Sequence, residues 1–114
     1  MAWNVPSDPD APLEAIRWFR ARVPMTDAQF EELKTKSRRK AFTVAGVAEL
    51  DLVHETHAAI ERAITDGTDL AEFKKAVGEK LRKAWSFSEK ATADRLETIF
   101  RTNVQLAYGA GRYE

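Results

Sequence analysis

Two histidines three residues apart in "HETH", His54 to His57, are the first place in this chain where metal chemistry would be sought. The zinc signature H-E-x-x-H sets its imidazoles at i and i+4, so that both face one ion from a single helical face. Here the spacing is i and i+3, the chain has no other histidine and no cysteine, and Glu or Asp would have to complete a ligand set. The expectation is structural: His57 at the edge of a core and His54 partly exposed, with no metal bound.

A second candidate is "KTKSRRK", Lys34 to Lys40, which carries five cations in seven residues with no acid among them. Two readings stay open. Lys34, Lys36, Arg38, Arg39 and Lys40 can hold nucleic-acid phosphates. They can equally end a helix, where cations complement the dipole and their stems cover apolar surface. Nucleophile and phosphate-loop signatures are missing: no G-x-S-x-G, no glycine-rich phosphate loop, no Ser, His and Asp set in a suggestive context. Glu31, Glu32, Glu55 and Glu61 read as solvated helix faces. No catalytic residue, cofactor or metal is expected, and the chain does not read as an enzyme.

The third candidate is the late segment "IFRTNVQLAYGAGRYE", Ile99 to Glu114. Asn103 interrupts an apolar stripe, where a polar side chain fixes register or selects a partner at some cost in stability. Gly109 and Gly111 each lower helix propensity by about 1 kcal/mol relative to Ala, a cost explained by close approach of another backbone or by a helix meant to end there. Arg101, Thr102, Asn103, Tyr108 and Arg112 are therefore assigned to a junction with a partner or a second copy. The competing reading, equally weighted, has Asn103 capping or bridging a neighbouring loop of the same domain.

These residues need elements to hold them. The segment 11–24 puts Leu13, Ile16, Phe19 and Val23 at helical spacing, with Asp10 as N-cap, Pro12 in the first turn and Pro24 as the stop. Trp18 and Phe19 are adjacent and cannot both point inward, so one covers a neighbouring helix or an interface. Thr26 and Gln29 form a capping box that opens a second helix with Phe30 and Leu33 inward, running through the basic segment. "AFTVAGV" breaks the helical period and reads as an extended connector over 42–46, with Gly46 supplying a turn. Leu50, Val53, His57, Ile60 and Ile64 define a third helix, closed by Asp66 and Gly67. Asp69 and Glu72 cap a fourth, lined by Leu70, Phe73, Val77 and Leu81 and ending near Trp85. Leu96, Ile99, Asn103, Leu106, Ala110 and Tyr113 share one face of a long last helix. The pattern predicts an all-α, bundle-like domain of about five helices over 11–114, preceded by a flexible stretch over 1–10 that holds Trp3.

Composition agrees. With 114 residues, 44% hydrophobic and 32% charged, the chain can bury a single core without disulfides. Lys plus Arg equals Asp plus Glu at 18 each, so no global field attracts nucleic acid or anionic membrane. No run approaches the roughly 18 apolar residues of a membrane span, and the lack of cysteine fits a reducing cytosol.

The stretches "AIRWFRARVPMTDAQFEELKTKSRRKAFTVAGV" and "IFRTNVQLAYGAGRYE", with the "DG" turn, Phe73 and Trp85 between them, resemble the phage head morphogenesis family of the Mu F type, the minor head proteins of tailed phages. The resemblance covers nearly the whole chain, and its specific parts are the connector and the late segment. It implies a non-enzymatic minor capsid component, encoded by a phage or prophage, that acts with the portal and other head proteins during head assembly and DNA packaging or delivery. It further implies residence in the host bacterial cytoplasm during assembly and then in the virion head, self-association through the late helix as an option, and no membrane partner. Members of this family typically continue past the "AGR" segment into a second region, so the chain is expected to be the N-terminal part of a longer protein. Members often have glycine before the tryptophan, where this chain has Ala84.

Overall fold

The computed structural model describes residues 11–113, so the expectations for residues 1–10, including Asp10 and Trp3, lie outside the described residues. The element order is α1 (Ala11–Arg20), β1 (Val23–Pro24), α2 (Asp27–Glu31), α3 (Thr35–Arg38), β2 (Ala41–Phe42), α4 (Leu50–Asp66), α5 (Leu70–Trp85) and α6 (Glu89–Tyr113). The architecture is all-α apart from one two-residue strand pair. Its Cα envelope measures 41 × 35 × 19 Å, and α6, at 25 residues, is about 37 Å long and nearly spans the longest dimension.

The three long helices follow their apolar periodicity. On α4 the buried positions are Leu52, Val53, Thr56, His57, Ala59, Ile60 and Ile64, and Gly67 ends the helix in the left-handed region at φ 72°, as the "DG" dipeptide predicts. On α5 Asp69 caps the first turn by accepting from the Glu72 amide, and Phe73, Val77 and Leu81 are buried. Phe19, Phe73, Ile60 and Leu81 are among the largest fully buried side chains, each stabilising the fold by about 1.5–3 kcal/mol over exposure. The first and last helices pack together, with α5 and α4 completing the sheath around α6.

Two expectations need correction here. The single second helix is two short ones, α2 and α3, which makes six helices among the described residues where the sequence predicts about five. The single amphipathic helix fails because the chain turns extended at Lys34 (φ −73°, ψ 155°), and Arg38 folds back into the break. Its Nε donates to the Leu33 carbonyl at 3.1 Å and its Nη2 to the Glu31 carbonyl at 3.1 Å, satisfying acceptors that a continuous helix would have used. Phe30 and Leu33 are consequently only half-buried.

The connector is extended, and it also pairs. β2 lies parallel to β1, with Val23 opposite Ala41 and Pro24 opposite Phe42. Val23 donates to the Lys40 carbonyl and Met25 to the Phe42 carbonyl at 3.0 Å. Pro24, which has no amide hydrogen, falls between the two donors, so its missing N–H costs the pairing nothing. Sequence reading treats Pro24 only as a helix stop, because a two-residue strand carries no periodicity to detect. α1 likewise buries Ala15 and Phe19 while Leu13 stays 53% exposed, and Val23 belongs to β1 rather than to that helix.

Candidate functional site

His57 is a core residue. Its ring stacks on Phe19 at 4.3 Å between centroids and meets Phe42 edge-on at 5.1 Å. Nε2 lies 3.0 Å from the Phe19 carbonyl. A carbonyl only accepts, so Nε2 carries the hydrogen and the ring serves as a cap on the last turn of α1. Burial holds the His57 pKa below its ordinary value, against the opposing pull of the Phe19 carbonyl and of Glu61. His54, one helical turn away, is exposed. Among the described residues no three His, Asp or Glu side chains converge on a common point.

The connector and Trp85, far apart in sequence, form one lock. Trp85 donates its indole N–H to the Ala45 carbonyl at 2.8 Å, and its ring lies over Gly46, where an added Cβ would sit 3.1 Å from Trp85 Cδ1. Gly46 also needs its φ of +80° for the turn, and its amide donates to Asp27 at 3.2 Å. Arg95 covers the Trp85 ring at 5.3 Å and Phe87 packs beside it at 5.4 Å. Immediately after Trp85, Ser86 takes the left-handed conformation that ends α5. Trp18 is the half-buried partner of buried Phe19, and Arg22 stacks on it at 4.2 Å.

The basic segment is divided by the fold. Arg38 is spent on the α2–α3 break and lies over Phe30 at 5.0 Å. Lys34, Lys36, Arg39 and Lys40 are exposed.

The late segment lies on α6, and its face is rotated from the one expected. Thr92, Leu96, Val104 and Ala107 are buried, Ile99, Phe100, Asn103 and Tyr108 are half-buried, and Leu106 is 51% exposed. A 25-residue helix that passes three neighbours in succession does not keep one stripe inward, so the stripe that begins at Leu96 has drifted off the core by Leu106, and the side chains of Ala110 and Tyr113 lie outside the described residues. Asn103 donates its Nδ2 to the Ile99 carbonyl at 2.9 Å, one turn back on the same helix, rather than to a loop. The helix continues past Gly109, where an added Cβ would meet nothing within 4 Å, so no backbone of the described chain explains that glycine. Burial raises the Tyr108 pKa. Thr102 is exposed, and Arg112 falls in α6 with its side chain outside the described residues.

Arg101 stands at the rim of a groove of about 300 Å³ between α6 and the α4–α5 turn. Phe100, Arg101, Val104 and Gln105 line one wall, and Ala63, Gly67, Thr68, Asp69 and Leu70 the other. Phe100 packs against Phe73 at 5.3 Å and so joins the groove to the core. Arg101 is held by Glu97 at 3.2 Å, one turn earlier, in the favourable acid-before-base order. Sequence reading finds Arg101 but misses Gln105 and the opposite wall, because a groove between the turn after α4 and α6 has no local sequence signal. An apolar floor with a polar rim is what a protein partner needs for a buried anchor ringed by hydrogen bonds.

What such a helical domain with an open groove is related to is answered by comparison with known proteins. The chain is 29% identical over 116 aligned residues to "Putative capsid assembly protein F" of Escherichia phage Mu, an alignment covering 90% of this chain and 26% of the relative. The match supports a Mu F-like head morphogenesis family for this chain, in agreement with the resemblance of its connector and late segment. The chain spans about a quarter of that relative's length. No family model and no solved structure matches it.

Proposed function

We propose that this domain is a non-enzymatic assembly module of a phage or prophage head, a minor capsid component that acts with the portal and other head proteins during head assembly and DNA packaging or delivery. The observation that carries the reading is the alignment of 90% of the chain with a phage Mu protein named for capsid assembly. The groove beside Arg101 supports a docking role, since it presents apolar Leu70, Phe100 and Val104 beneath a polar rim. In this reading Arg101, Thr102, Asn103, Tyr108 and Arg112 belong to the partner interface, and Gln105 and the exposed Leu106 join them. Assembly takes place in the host cytoplasm and the product is the virion head. Among the described residues no helix is long and apolar enough to cross a membrane.

The test is retention of the portal protein encoded beside this gene by the immobilised chain, with R101E/Q105E as the comparison. Both substituted side chains are exposed, so the variant keeps the core. Portal retained by the parent and lost by the variant supports the groove as the docking surface. Retention by neither removes the portal as a partner of this domain, and equal retention by both moves the contact away from the groove.

A further inference from the structure

We infer that the crossover from β1 to β2 is a contact surface for the phosphates of duplex DNA, made by Lys34, Lys36, Arg39 and Lys40. The residues from Leu33 to Ala48 include no acid and five cations. Elsewhere five surface cations are paired, Arg20 with Glu61 at 2.9 Å, Lys80 with Glu55 at 2.7 Å, Arg101 with Glu97 at 3.2 Å, and Arg82 and Lys90 with Glu79 and Asp94, while Arg17, Arg62, Lys74, Lys75 and Lys83 are scattered among acids along α1, α4 and α5. Among the described residues the four exposed cations of the crossover enter no such pair, while Arg38 pairs with Glu31 at 3.7 Å. In a protein of zero net charge the crossover is set apart by density: its cations are close in sequence, with no acid between them.

The segment is also held in place. Val23 and Met25 fasten its two ends through the strand pair. Arg22 donates Nη1 to the Arg39 carbonyl at 2.7 Å while stacked on Trp18, and this placement leaves its Nε buried with no acceptor. Arg38 ties the α2–α3 break. Lys36, Arg39 and Lys40 stand three and four residues apart on and just beyond the single turn of α3, and all three are exposed. A fixed row of cations binds a polyanion with less ordering cost than a mobile tail.

The aromatic rings of the neighbourhood favour a duplex over a single strand. Trp18 and Phe30 are half-buried and each has one face covered, by Arg22 and Arg38, which reduces the ring surface on which an unpaired base could stack. The choice of DNA over RNA rests on the reading of the domain as a head protein. The portal assay and the DNA assay are independent, so failure of one is distinguishable from failure of the other.

The experiment is fluorescence anisotropy of a labelled DNA duplex titrated with the 114-residue chain across a salt series. Four phosphate contacts predict a slope of log K against log salt of about −3 to −4, and so a loss of affinity on the order of 100-fold between 50 and 200 mM salt. The variant K34Q/K36Q/R39Q/K40Q is expected to lose this salt-dependent binding, whereas K74Q/K75Q/K83Q on α5 keeps it. Should the fourfold variant not fold, K36Q alone is expected to lower the slope by about 1. The inference is overturned if the parent shows no salt-dependent binding or if the α5 variant loses as much as the crossover variant. It is equally overturned if duplex RNA or an acidic polypeptide competes as well as unlabelled duplex DNA.

Discussion

The connector around Gly46 and the late part of α6 carry the two most specific stretches of the family resemblance, yet the fold uses them in opposite ways. In the connector every unusual residue is consumed internally. Phe42 packs edge-on against Phe19 at 5.6 Å and against His57, Val44 and Val47 are buried, and Gly46 is required by the Trp85 ring and by its own backbone angle. In late α6 Asn103 and Tyr108 are held within the domain, but other distinctive positions are left over. Leu106 is exposed, Gly109 faces open space, and Arg101 stands beside a groove. A distinctive residue therefore reports on folding where its surroundings account for it, and on contact with something else where they do not.

That contrast can be broken by mutation. Phe42→Ala should have the largest effect, a destabilisation of about 3–5 kcal/mol from the lost ring and the cavity left between α1 and α4, read as a fall in the denaturant midpoint. Gly46→Ala should cost about 1–3 kcal/mol through backbone strain, with additional loss because the new Cβ meets the Trp85 ring. A neutral result would show that the connector is not locked by Trp85.

The stacked His57 adds a pH dependence to the same side of the molecule. Its folded pKa is lowered from 6.5 by burial, so the unfolded chain binds the proton more readily than the folded one. The stability this confers is fully present above pH 6.5 and is lost as pH falls through that value towards the folded pKa. Denaturant midpoints measured at pH 8 and pH 5 should show the fall in the parent and a smaller one in His57→Gln. An equal fall in both would assign the loss to other groups.

The smallest effect belongs to late α6. Gly109→Ala should raise stability by about 0.5–1 kcal/mol, because helix propensity improves and nothing nearby is displaced. If the same variant weakens portal retention, the glycine is kept for a close approach by the partner. A fall in stability would instead mean that the helix does not continue through this position.

Much of the helical framework was legible before the structure. The Thr26 and Gln29 capping box forms in both directions, at 3.3 Å and 2.9 Å. The periodicity of α4 and α5, the cap at Asp69 and the stop at Gly67 follow from residues within a few positions of one another. The site was legible in part. Arg101 and the basic run could be singled out by type and spacing, but not the wall opposite Arg101 or the withdrawal of Arg38 from the run.

Local sequence thus determined where the long helices lie and how they start and stop, since capping and amphipathic spacing act over one or two turns. Tertiary structure alone decided the pairing of Val23 with Ala41, the seat of His57 between Phe19 and Phe42, the ring of Trp85 over Gly46 and the rotation of α6. Each of these depends on a partner 17 or more residues away or on how a long helix passes several neighbours. No local propensity encodes such a partner: it is chosen by which buried surfaces fit together once the whole chain has collapsed.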